Sequence, residues 1–153
     1  MLKSMLICAL LSLAPVSELR GAMIYGLAHD VPAVLLFPLC VLANMIPVPF
    51  ILLFLRKVLA WMHGMGGWMK KTADWLTERG EAKSDLYRKY EQLGLFILVA
   101  IPLPGTGAWT GALVAGLLRL RIKKALPPIL LGVVTAGIVV LLASLGLIHL
   151  AGW

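Results

Sequence analysis

Charged side chains are scarce in this sequence, 14% of its 153 residues, where an ordinary soluble domain carries about 25%. With 61% of residues hydrophobic, too little polar surface exists to coat a globule of this size in water. Lipid must cover much of the apolar surface. Cysteine is nearly absent. Cys8 and Cys40 both lie inside apolar segments, far apart, which gives neither a disulfide framework nor a metal spacing; they read as small apolar filler. The three histidines, His29, His63 and His149, form no HxxxH or HExxH pattern. With no Ser/His dyad and no metal cluster, the chain is not expected to be an enzyme. No cofactor is expected beyond a proton or sodium as coupling ion. The net charge of +7 does not point to nucleic acid, because the basic residues flank apolar runs and form no free arm.

What remains is apolar sequence in four segments, read as a single membrane domain over 1–153. Residues 4–27 are interrupted by Pro15 and contain Glu18 and Arg20. Residues 31–55 are uncharged and long enough to cross about 30 Å of hydrocarbon, with Asn44 and a Pro47-Val48-Pro49 break. Residues 93–118 are uncharged but broken by Ile101-Pro102-Leu103-Pro104-Gly105-Thr106-Gly107. Residues 125–150 read as a plain spanning helix, with Pro127 and Pro128 near its start, where missing N–H groups cost least. Lys3 and the apolar run from Met5 to Ala14 look like a signal peptide, but Pro15 and Glu18 follow in place of a small-residue cleavage site, so the segment is read as part of the mature chain.

The first and third segments each have about ten apolar residues on either side of a breaker. Ten helical residues rise about 15 Å, half the hydrocarbon thickness. Proline removes a donor and clashes with the preceding turn. Two half-length legs around a break predict a re-entrant hairpin, whose irregular backbone must line a cavity or be buried in protein.

Charge supports the same topology. The block 56–91 holds Arg56, Lys57, Lys70, Lys71, Arg79, Lys83, Arg88 and Lys89; the link 119–124 holds Arg119, Arg121, Lys123 and Lys124. Together they carry twelve of the fourteen basic residues, so both are expected in the cytoplasm. Four full spans would put them on opposite faces; two re-entrant hairpins put them on one. Both termini are then outside, in the cytoplasmic membrane of a prokaryote. The expected fold is all-α and integral to the membrane: an inverted repeat of re-entrant hairpin plus transmembrane helix. Inverted repeats with broken helices are a transporter architecture with a midplane site. The polar block adds Trp61, Trp68 and Trp75 every seven residues, with Val58, Met62, Met65, Met69 and Leu76 on the same stripe. That pattern predicts an amphipathic interfacial helix within 56–91, bent by Gly64, Gly66 and Gly67, with a mixed-charge connector over 77–91.

Three runs resemble a known family. They are Pro15-Val16-Ser17-Glu18-Leu19-Arg20-Gly21-Ala22, Asn44-Met45-Ile46-Pro47-Val48-Pro49, and Ile101-Pro102-Leu103-Pro104-Gly105-Thr106-Gly107-Ala108-Trp109-Thr110-Gly111-Ala112. These resemble signatures of the small multidrug export protein family, itself similar to the DedA superfamily. The resemblance implies re-entrant hairpins and either proton-coupled export or lipid translocation.

The residues that would carry the chemistry follow from depth. An ionisable group at the bilayer centre costs at least about 2.5 kcal/mol on insertion scales and persists when paired or facing a wet cavity. Glu18 and Arg20 are such groups; two residues apart on a helix, they do not face each other, so each needs a partner elsewhere. Glu18 is the candidate proton carrier and Arg20 the candidate anion contact, or the two lock the hairpin structurally. Pro102, Pro104, Gly105, Thr106 and Gly107 form the second break, where a half-helix would aim its positive end at the midplane. Trp109 and Thr110 would line the same region, and Asn44 would bond across helices. The expected function is ion-coupled export of a small amphipathic compound. The alternatives are lipid translocation and a structural or assembly role. Membrane lipids and a second copy of the chain, as a homodimer, are the expected partners.

Overall fold

The computed structural model describes residues 2–68, 70–72, 74–75, 85–103 and 106–150, apart from the side chains of 85–89 and 148. Among the described residues every regular element is a helix. In chain order these are α1 (Leu2–Leu13), α2 (Glu18–Ala28), α3 (Ala33–Met45), α4 (Pro47–Gly64), α5 (Asp85–Ala100), α6 (Ala108–Leu117) and α7 (Ile122–Leu150).

Both predicted breaks are real. Pro15 lacks the N–H that would bond the Leu11 carbonyl, and the Ser17 hydroxyl bonds that carbonyl instead, at 2.7 Å. The chain turns there, and α1 and α2 pack against each other as a helical pair of 12 and 11 residues. The second break, after α5, is held by Thr106, whose Oγ1 lies 2.8 Å from the carbonyls of both Ile101 and Leu103. Neither α1, α2 nor α6 reaches the roughly 20 residues a span requires.

Two stretches are long and apolar enough to cross a membrane: Ala33–Gly64, whose most apolar 18 residues have mean hydropathy 2.2, and Ile122–Leu147, with 2.5 over the same length. The first comprises α3 and α4, separated only by Ile46, whose own backbone is helical (φ −56°, ψ −48°). Pro47 and Pro49 therefore interrupt the hydrogen bonding without turning the chain out of helical geometry. Val34, Phe50, Phe54 and Leu142 project outward from these helices, more than half exposed, as lipid-facing side chains would be.

Two boundaries differ from expectation. The helix expected to end at Leu55 continues to Gly64, because nothing between Arg56 and His63 breaks it; Trp61 belongs to this helix. The chain leaves it at Gly66 and Gly67, both at positive φ (+69° and +71°), a conformation glycine adopts without steric cost. Trp68 and Trp75 follow in helical backbone, and all three tryptophans are more than half exposed. At the other end, α5 begins at Asp85, inside the expected connector. Met69, Leu76 and the stretch 76–84 lie outside the described residues.

The packing has the same form in both halves. α2 packs on α1 and α3 and reaches across to α7; α6 packs on α5 and α7 and reaches across to α4. Small residues permit the close approach, as is usual between helices in lipid. Gly26 abuts Leu36 and Cys8, Gly111 abuts Val99, and Gly116 abuts Leu55. Ala22 and Ala112 are both fully buried.

The exits from α2 and α6 also match. Val31 N–H bonds the Gly26 carbonyl at 3.0 Å, and Leu120 N–H bonds the Ala115 carbonyl at 2.9 Å. Each is the six-to-one bond of a Schellman cap, with a left-handed residue before it: Asp30 at φ +56° and Arg119 at φ +52°. The apolar residues after them, Val31 and Leu120, are buried.

Candidate functional site

The two breaks meet. Arg20, in the first turn of α2, sends its guanidinium into the second break. Nη2 donates to the Ile101 carbonyl at 2.9 Å and to the Thr106 carbonyl, and Nη1 donates to the Leu103 carbonyl. The three carbonyls lie in the break between α5 and α6, outside either helical ladder. The carbonyls of Ile101 and Leu103 also accept the N–H groups of Leu103 and Thr106, at 2.9 and 3.2 Å, and the guanidinium adds charge-assisted donors to them. No arginine lies between Leu93 and Leu118, so the second break takes its guanidinium from the first hairpin.

The reverse contact also exists. Trp109, in the first turn of α6, donates Nε1–H to the Leu13 carbonyl at 3.1 Å. Leu13 is the last residue of α1, and its carbonyl points beyond the helix end. Each broken hairpin thus donates to backbone carbonyls at the break of the other.

Glu18 occupies the space between them. It is only 5% exposed, and its backbone sits at φ +48°, a left-handed conformation uncommon outside glycine. Such strain persists only where surroundings hold it, and it concentrates at functional sites. Its carboxylate lies directly against Gly107, where a Cβ would collide with both carboxylate oxygens. Gly107 is the N-cap of α6. The positive end of that half-helix, expected from sequence to face an anion, therefore faces the chain's own carboxylate. A negative charge at a helix N-terminus is favourable by about 0.3–1 kcal/mol, and by up to about 2 when partly buried.

Glu18, Arg20, Thr106, Gly107 and Trp109 are accordingly brought to one place. Pro102 lies in the second break and is exposed. Pro104 and Gly105 lie outside the described residues. Thr110 follows Trp109 in α6, half-buried. Asn44 is 2% exposed, and its Oδ1 has no hydrogen-bond partner among the described residues, so the expected cross-helix bond is not made through that oxygen. It sits one turn beyond Cys40, whose carbonyl accepts the Ser12 hydroxyl at 2.6 Å, next to the Leu13 that Trp109 reaches. The sequence reading missed Ser12 and Ser17. The acceptors at Leu13, Ile101 and Leu103 are backbone atoms, and no residue type announces them. Among the described residues no group of His, Cys, Asp and Glu is arranged to hold a metal ion.

Gly107→Ala tests the cradle. The added methyl cannot fit beside the carboxylate, and Glu18 is the flexible partner, so the carboxylate is expected to move away from α6 while the helices stay packed. A thermal midpoint close to wild type is the expected result. A large drop in the midpoint would show that the carboxylate cannot move aside.

A helical bundle with two stretches long and apolar enough to cross a membrane and with exposed apolar faces has the build of a membrane protein. It belongs to the family described as "Putative small multi-drug export protein", whose model matches residues 18–139. No curated protein and no solved structure matches the chain.

Proposed function

We propose that the two hairpins are re-entrant and related as an inverted repeat, and that the chain exports a small amphipathic compound by ion coupling through Glu18. The observation that carries this reading is the seat of Glu18, a buried carboxylate at strained backbone against the N-terminus of the opposite half-helix. When ionised, the carboxylate is attracted to the positive end of α6 and ties the hairpins together. When protonated, it loses that attraction and the hairpins can separate. A proton, or a sodium ion bound to the carboxylate, would thereby be linked to opening. Asn44 and the Thr106–Thr110 turn offer polar contacts to a substrate, and Trp109 offers an apolar face. The matching helix exits and cross-packing support the repeat, and the likeness to DedA proteins belongs to the same reading.

In this reading both basic links face the cytoplasm of a prokaryotic cell and both termini face outward. Trp61, Trp68 and Trp75 seat the cytoplasmic linker at headgroup depth. So small a bundle encloses little volume, which favours a homodimer. A cysteine placed at Thr72 is expected to resist a membrane-impermeant maleimide in intact cells and to react after lysis. Labelling in intact cells would overturn the topology.

The function is tested in liposomes of defined composition. Uptake of a cationic dye that depends on a proton or sodium gradient is expected. Scrambling of labelled lipid with no gradient would instead make the protein a lipid translocase. Neither activity in a well-folded preparation would favour a structural role.

A further inference from the structure

A second polar site lies at the basic end of α4. Arg56, Leu59, Ala60 and His63 recur at helical spacing and, with Arg119, line a cavity of about 480 Å³. It is separated from Gly107 by the length of α6, ten residues or about 15 Å.

The side chain of Arg119 is fixed from behind. Its Nη2 lies 2.5 Å from His63 Nε2. A guanidinium can only donate, so Nε2 accepts, and the imidazole proton resides on Nδ1. Nδ1 in turn lies 3.0 Å from Asp74 Oδ1. The chain Asp74–His63–Arg119 orients the guanidinium, and the left-handed backbone at Arg119 delivers it to the cavity. Arg56 donates from Nη2 to the Leu120 carbonyl at 2.8 Å. Each guanidinium carries five N–H donors, and these contacts use one of each.

Two cations on one cavity repel unless an anion lies between them. Asp74 approaches through His63 and does not line the cavity. The floor, Leu59 and Ala60, is apolar, and Leu53, three residues before Arg56 on the same face, is half exposed toward the apolar part of the helix. A planar guanidinium matches the oxygens of a phosphate, and the adjoining apolar face matches an acyl chain.

We propose that this cavity binds the phosphate group of an anionic phospholipid, held by Arg56 and Arg119, with its acyl chains lying along α4 toward Leu53. The bound lipid bridges α4 and the α6–α7 turn.

The test uses the full chain in detergent, with phosphatidylglycerol and phosphatidylcholine titrated separately and bound lipid counted by native mass spectrometry. Phosphatidylglycerol is expected to bind at least tenfold more tightly than phosphatidylcholine. Arg119→Gly, which also relieves the positive φ, should remove that preference. Arg119→Lys should keep part of it, since the charge remains. Lys123→Gln, outside the cavity, should leave it intact. A preference unchanged in both Arg119→Gly and Arg56→Gln would overturn the proposal. So would equal competition by soluble glycerol phosphate, which would assign the cavity to a free phosphate rather than a lipid.

Discussion

Arg20→Ala is expected to destabilise the protein by about 2 kcal/mol, through loss of its charge-assisted hydrogen bonds to the second break. Three carbonyls, of Ile101, Leu103 and Thr106, would lose this donor together. A hydrogen bond to a charged group contributes about 1.5–3 kcal/mol, less where it is exposed as those to Ile101 and Leu103 are, and these two carbonyls keep the N–H groups of Leu103 and Thr106. Thr106 Oγ1 also reaches Ile101 and Leu103, which lowers the loss further. Arg20→Lys should recover little, because a compact ammonium cannot span three carbonyls as a planar fork does. Thermal unfolding in a mild detergent measures both variants. A wild-type midpoint for Arg20→Ala would show that the guanidinium does not hold the second break.

Glu18→Gln is expected to lose no more than the helix-end attraction, about 0.3–2 kcal/mol, and to abolish the gradient-driven transport proposed for the chain. Glutamine has the size and hydrogen-bonding capacity of the protonated acid, so it fits against Gly107 without demanding a counter-charge. It cannot take up or release a proton. Glu18→Asp should retain some activity with a shifted pH optimum, since the shorter side chain draws the carboxylate away from α6. Were Glu18 only one half of a structural ion pair with Arg20, Gln would break the pair, and breaking a buried pair typically costs about 3–5 kcal/mol. The comparison separates the roles. Lost stability makes Glu18 structural, and full transport at normal stability removes it from coupling.

The breaks could be read in the sequence because proline and glycine act locally. Pro15 and the Pro102–Gly107 run end helices whatever surrounds them. The two long apolar stretches were legible for the same kind of reason, through length and composition. The partners were not. Arg20 meets carbonyls more than eighty positions away, and a carbonyl leaves no mark on residue type. Gly107 read only as part of the second break, and its φ of −149° is ordinary extended backbone. Its hydrogen side chain is needed because a carboxylate from another hairpin lies against it. Arg119 carried no signal of its left-handed backbone, since glycine or asparagine is the usual occupant of that cap position. Asp30, at the matching turn, is a residue type that tolerates the conformation, so only one of the two equivalent caps could have been found.

The central claim, that Glu18 takes up a proton within the membrane, is tested most directly by dicyclohexylcarbodiimide, which modifies protonated carboxyls in apolar surroundings. The purified protein in liposomes is treated across a pH series, and modification of the peptide containing Glu18 is quantified by mass spectrometry. Modification at Glu18 is expected to rise as the pH falls and to be absent in Glu18→Gln. No modification of Glu18 at any pH, or a yield that does not change with pH, would contradict it.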